Sequence, residues 1–250
     1  MLQPSVKHNF GGTIWRMEID ELTDTMVVEV RNETDKQVSF AAISLTSGKI
    51  YFENYRTDER WLTGVECVYD GVALLHYYKH ESGPEHKGIM AINALTSGEI
   101  WSNYSHAFDH LTINGPAIYN SNLQPAKLLL ADIKTGKVLR NHAEDDKPLP
   151  NSIVIPQLCS TDQLAMIPVE IEAVGNIAHY LHHNNYRIVS LHAFKNGVLQ
   201  QHLLITDGAT RVYADLLNSG IQKLQPEAFV LHKNALVYIK NKTEIIVLHL

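Results

Sequence analysis

The chain has 250 residues, 45% hydrophobic and 19% charged, the balance of a folded globular protein and not of a disordered one. Its 21 basic and 27 acidic side chains leave a net charge of −6, which offers no basic footprint for nucleic acid or an anionic membrane. That length holds two ordinary domains or one all-β domain, and the repeats below point to a single domain over 1–250.

The opening "MLQPSVKHNFGG" lacks the basic start and continuous apolar stretch of a secretory signal. No run approaches the roughly 18 apolar residues of a membrane span, so a cytoplasmic chain is expected. Ser5 to Asp20 reads as a hairpin about Gly12, "FGGTIWRMEI". The strand-like runs "TMVVEVRNE" and "QVSFAAISL" lead into a turn at Gly48, "LTSGKIYFENY". "VALLHYYKH" and "KGIMAINAL" lead into the turn at Gly98, "LTSGEIWSNYS", and "AKLLLADI" into that at Gly136, "IKTGKVLRNHA". "AEDDK", Ala143 to Lys147, is the one dense acidic patch and reads as a solvated loop. "VEIEAVGNIAHYL" and "YRIVSLHAF" precede Gly197, "FKNGVLQQHLL", and "NALVYIK" precedes a last, glycine-less copy near Thr243. The nearest helical candidate, "RVYADLLNSGIQKL", is weakened by Gly220.

The turn positions 12, 48, 98, 136, 197 and 243 recur at a mean spacing of about 46 residues, within the range of propeller blades. Two residues after the glycine stands Ile14, Ile50, Ile100 or Val138, followed by Trp15, Tyr51, Trp101 or Leu139. A β-branched residue beside a large one suits strands packed on both faces, and glycine supplies the positive φ of a tight hairpin. Several short strands per repeat predict an all-β fold: a β-propeller of about five four-stranded blades, with six as the alternative. The N-terminal hairpin has no inner strands of its own, and the C-terminal strands Phe229 to Leu250 can supply them. The ring is therefore expected to close by the termini sharing a blade.

"INALTSGEIW" and "LADIKTGKVL" resemble the repeat of quinoprotein-like β-propellers, with an acidic or small residue, a Thr-Gly turn and a Trp-bearing outer strand. Asp132 stands at the family's acidic position, with Ser44 and Asn93 near it, and Trp15 and Trp101 match the docking tryptophan. The resemblance implies architecture and not chemistry. Quinone-dependent members are secreted, usually eight-bladed, and carry calcium and adjacent cysteines, whereas here Cys67 and Cys159 are far apart and read as two buried thiols. No quinone, calcium or other cofactor is expected, and the nearer likeness is to short cytoplasmic propellers of bacterial origin.

Fourteen histidines gather in three places: His76, His80 and His86; His106 and His110 around Asp109; and His179, His182 and His183. Imidazole is the commonest metal ligand, but His76 and His80 on one strand lie about 13 Å apart at ~3.3 Å per residue. The expectation is solvated or internally satisfied histidines and no metal. Trp15, Tyr51 and Trp101 are expected to pack between blades, and Asn54, Asn103 and Asn141 to bridge them. "SGPEHKG", with Gly83 and Gly88, lacks the Lys-Ser/Thr of a phosphate loop. Glu66, Asp70, Asp109, Glu170 and Glu172 are candidate acids or bases that nothing in the sequence pairs. In a propeller a site lies at the first strand of each blade, here "GVECVYDG", "LTINGPAIYN" and "NSIVIPQLCST". The reading is of a binding or scaffold module for a protein or small ligand. The alternative is a hydrolase or lyase for a sugar or small polar substrate.

Overall fold

The computed structural model describes residues 1–164, 173–226 and 228–250, which form 22 strands in five antiparallel sheets. Among these residues no helix is long and apolar enough to cross a membrane. The chain divides into two compact units, one of residues 11–151 and one of residues 1–10 with 152–250.

The first of these units is three consecutive four-stranded meanders. The chain enters them after β1 (Pro4–Asn9), which belongs to the other unit. The first meander is β2 (Thr13–Ile19), β3 (Thr25–Asn32), β4 (Gln37–Ser44) and β5 (Ile50–Tyr55). The second is β6 (Thr63–Tyr69), β7 (Val72–Tyr78), β8 (His86–Asn93) and β9 (Glu99–Asn103). The third is β10 (His106–Thr112), β11 (Gly115–Asn120), β12 (Leu128–Ala131) and β13 (Val138–Asn141).

In the other unit, β14 (Ile153–Val154) is followed by β15 (Gln157–Ser160), β16 (Ile177–His183), β17 (Tyr186–Lys195), β18 (Val198–Asp207) and β19 (Thr210–Ser219). β15 to β19 make a five-stranded meander. β20 (Val230–His232), β21 (Ala235–Lys240) and β22 (Glu244–His249) take β14 on one side and β1 on the other. "NSIVIPQLCST" thus splits between two sheets, and the expected helical candidate "RVYADLLNSG" is the strand β19.

The chain is therefore all-β, a propeller-like succession of sheets, with three of four strands and two of five. Ser5 to Asp20 is not a hairpin: β1 pairs antiparallel with β22, from His8 opposite Ile245 to Pro4 opposite Leu248, while β2 pairs with β3. Sharing of one sheet by the two chain ends is thus observed.

β7 shows why the strands carry so little polar alternation. Ala73, Leu75 and Tyr77 enter a core with Val27, Phe40 and Ala42 of the first meander, and Val72 and Leu74 enter one with Ile118, Ala131 and Ile133 of the third. A strand buried on both faces has to be apolar at both parities. In the other unit Leu203, Ile205 and Leu217 pack on Leu236, Tyr238 and Ile246, joining the fourth and fifth sheets.

The recurring turn has one construction in three places. Ser44, Asn93 and Asp132 each accept, through the backbone carbonyl, the N–H four residues on, from Gly48, Ser97 and Gly136. Their side chains accept N–H groups inside the same turn, from Ser47, Thr96 and Thr135. The left-handed residue is Gly48 (φ 72°) and Gly136 (φ 68°), but in the second meander it is Ser97 (φ 59°) and not the expected Gly98. Asp146 departs from the solvated reading of "AEDDK": it is buried, receives both guanidinium arms of Arg140 at 2.6 Å and accepts from Asn114 and the Ala143 N–H.

Trp101 fulfils the packing expectation, donating Nε1–H to the Ile133 carbonyl at 2.9 Å with its ring over Gly136. A Cβ at Gly136 would stand 2.5 Å from that ring, at a φ that L-residues tolerate poorly. Gly136→Ala should cost about 1–3 kcal/mol and lower Tm by several degrees, with a red shift of tryptophan emission, checked by thermal unfolding followed by fluorescence.

Candidate functional site

The register of three strands builds the site. Along β6 and β7, Val65 faces Leu75 and Cys67 faces Leu74, so Glu66 is the extra residue of a β-bulge. A bulge re-aims one side chain out of the ladder. Across β7 and β8 the register shifts once more, His76 facing Ile89 and Tyr77 facing Lys87, with Gly88 the extra residue at φ 68°. The two irregularities set Glu66, His76 and His86 together, with one ligand-capable atom from each within 4.8 Å of the others.

Glu66 Oε1 lies 2.6 Å from His86 Nδ1 and 3.2 Å from His76 Nδ1, and the imidazoles stack with centroids 3.6 Å apart and planes 8° from parallel. Tyr78 meets both rings edge-on, at 4.6 and 5.0 Å. Glu66 and His76 are 6% and 2% exposed, and His86, at the start of β8, is the half-exposed member. Burial pushes the Glu66 carboxyl up, and the two imidazoles beside it more than reverse that, holding it at about 2. Burial also pulls His76 below the ordinary imidazole value, against the opposing pull of Glu66. His76 Nδ1 faces Glu66, but its Nε2 has no hydrogen-bond partner among the described residues, which for a buried imidazole is a cost that something has to offset.

The cluster leans on the first meander, whose β2 and β3 run beside β6. Arg16 on β2 bonds Glu18 at 2.8 Å and donates to the Glu66 carbonyl at 2.9 Å. On β3, Glu29 accepts from Arg31 at 2.7 Å and from the Val65 N–H at 3.0 Å, and Arg31 donates to the Thr63 carbonyl. Gly64 lets His76 in: a Cβ there would stand 2.7 Å from His76 Cε1 and 2.9 Å from Glu29 Oε2.

The other sequence candidates do not converge. His80 is exposed. His106 bonds Asn103, and His110 bonds the exposed Asp109 on their shared strand. His179 bonds the Pro226 carbonyl and His183 bonds Asn234, while His182 is exposed. Asp70 pairs with Lys134 at the surface, and Cys67 and Cys159 are free thiols, the first buried and the second half-exposed. Glu170 and Glu172 lie outside the described residues. Asn103 caps the turn into β10 through the N–H groups of Ser105 and His106, and Asn54 adopts φ 60°; neither is shown bridging sheets. Tyr51 packs in the core between the first two meanders, but Trp15, expected in such a core, is 60% exposed. Trp15 is the bulge residue of β2, where Ile14 faces Val30 and Arg16 faces Glu29, and it covers Arg31, which is stacked on Trp61 as well, at 5.1 and 5.0 Å.

Glu66 lay within "GVECVYDG" and both histidines within one sequence cluster, but the sequence holds no sign of the bulge that joins them. Gly64→Ala should displace the His76 ring and cost about 1–3 kcal/mol, shifting the ring resonances of His76 and His86 while leaving His182 unmoved in NMR spectra. Glu29→Ala leaves the Arg31 guanidinium buried beside no carboxylate and should cost about 3–5 kcal/mol in denaturant unfolding.

A family model described as a domain of unknown function, DUF4905, matches residues 19–101, the stretch that contains all three residues of the cluster. No curated protein matches in sequence. Among solved structures, BamB from Moraxella catarrhalis is similar at 7% identity and TM-score 0.36, over 94% of this chain and 84% of that one. The β-propeller domain of the Trilobed protease from Pyrococcus furiosus is similar at 12% identity and TM-score 0.34, over 94% of this chain and 65% of that one. Raptor from Chaetomium thermophilum is similar at 10% identity and TM-score 0.43, over 98% of this chain but only 29% of its own length. No residue role is carried over from any of them.

Proposed function

We propose that the chain is a single five-bladed propeller, its last blade shared by the two chain ends, and that it is a binding module taking a small polar ligand at Glu66, His76 and His86. The pairing of β1 with β22 and the five sheets support the architecture. One observation carries the binding reading: a buried imidazole whose Nε2 has no hydrogen-bond partner among the described residues, beside a carboxylate and a second, half-exposed imidazole. A propeller that only docks proteins on its surface has no use for such a group, whereas polar atoms of a ligand would satisfy it.

The second reading is catalysis of the hydrolase or lyase kind. It is favoured by the same convergence, since a carboxylate held ionised between two imidazoles is an arrangement suited to moving a proton.

The test is thermal unfolding of the wild type, His86→Ala and Glu66→Gln with inorganic phosphate, small carboxylates and monosaccharides in turn. One class should raise the wild-type Tm by about 5–10 °C at roughly 100-fold its dissociation constant, and should leave both variants unmoved. A shift of equal size in all three proteins, or none from any class, would defeat the assignment of the cluster as the ligand site.

A further inference from the structure

Glu66, His76 and His86 sit in a group of buried and half-buried charges that does not balance. Glu18, Glu29 and Glu66 face Arg16 and Arg31 through direct contacts, three carboxylates against two guanidiniums. The carboxylates of the group thus outnumber its guanidiniums by one, at Glu66. An excess of carboxylate away from water attracts a cation, and Glu66 is where one can be coordinated.

The donor atoms suit one class of cation. Two imidazole nitrogens and one carboxylate oxygen are the ligands of first-row transition ions, whereas magnesium and calcium take oxygen alone. At about 2.1 Å from such an ion, neighbouring ligand atoms stand about 3.0–3.4 Å apart. The Glu66 to His76 separation of 3.2 Å already meets that, and the Glu66 to His86 separation of 2.6 Å has to open by about half an ångström, since ion coordination replaces the hydrogen bond. The rings also have to leave their parallel stack to aim their lone pairs at one point. His86 is placed to make that movement, being half-exposed at the start of a strand, while Glu66 and His76 are held in the interior.

The surroundings are those of a supported ligand. Thr63 Oγ1–H bonds the His76 carbonyl at 2.9 Å, Gly64 admits the His76 ring, and Tyr78 flanks both rings. Outer contacts of this kind orient metal ligands.

We propose that Glu66, His76 and His86 bind one divalent first-row transition ion, with at least one coordination position left open to an oxygen donor of the small polar ligand. The proposal rests on the reading of the cluster as the ligand site. His76 and Glu66 supply fixed ligands and His86 closes the shell from the half-exposed side.

The experiment uses the full chain, stripped with a chelator and dialysed, then titrated with Zn2+, Co2+ and Mg2+. Calorimetry and elemental analysis should give one Zn2+ per chain, Co2+ should develop visible ligand-field bands, and Mg2+ should not compete. His86→Ala and Glu66→Gln should each weaken Zn2+ by more than about 100-fold, beyond the 10–100-fold that outer contacts supply. His80→Ala and His182→Ala should bind as the wild type does. Because His86 is half-exposed, His86→Ala should fold, and its circular dichroism spectrum verifies that. Binding well below one ion per chain, equal binding of Mg2+, or unchanged affinity in folded His86→Ala overturns the metal. The phosphate, carboxylate and sugar series repeated in chelator separates the two proposals. A ligand response that persists there refutes the ion alone, and one-to-one Zn2+ binding with no ligand response refutes the ligand reading alone.

Discussion

The second meander, packed between the first and the third, has to serve two cores. A sheet packed between two others has no solvent face, so consecutive residues of β7 go to opposite cores, Ala73 and Leu75 to one and Val72 and Leu74 to the other. Val72, Leu74 and Leu75 each contribute about 1.5–3 kcal/mol by leaving water. The same packing makes polar groups on these strands expensive unless they are fully partnered. This constraint determines where chemistry can be accommodated, because a carboxylate or imidazole kept in such a sheet needs either a backbone partner or a ligand.

The seam between the first two meanders shows both outcomes. Asp20, fully buried, accepts the Gly71 N–H at 2.7 Å and the Thr23 hydroxyl, so it joins the hairpin ends of neighbouring sheets. Glu29 accepts the Val65 N–H and pairs with Arg31, which in turn reaches the Thr63 carbonyl. These acids replace the ladder hydrogen bonds that strands of different sheets cannot make with each other. Glu66 is different. Among the described residues its side chain meets two imidazoles and the edge of Arg16 and no backbone N–H.

The same local device, a bulge on the first strand of a meander, recurs three times with different residues. Trp15 on β2, Glu66 on β6 and Asp109 on β10 are each the unpaired residue of a register shift. One becomes an exposed ring over a guanidinium, one a buried ligand-capable carboxylate, and one an exposed partner of His110. A repeated backbone irregularity with unlike side chains lets a repetitive architecture carry a single distinct site.

The amino-acid sequence by itself determined the all-β class, the recurring turn and the both-faces-buried character of the strands. These depend on local patterns: β-branched and apolar runs, and a polar residue four positions before a left-handed one. It also indicated the stretch around Glu66 as a place for a site. What it did not contain is the pairing of Glu66 with His76 and His86, because that depends on two register shifts, and a strand's sequence does not state which residue its neighbour skips. The sharing of one sheet by β1 and β22 was foreseen in outline, but the separation of β1 from β2 was not, since Gly11 and Gly12 fit a hairpin turn as well as a passage between sheets. Trp15 departs from its expected burial for the same reason: the residue type favours burial, and the bulge turns it outward. Local propensity is written along the chain, whereas register, and with it the convergence of distant side chains, is settled only when whole sheets pack.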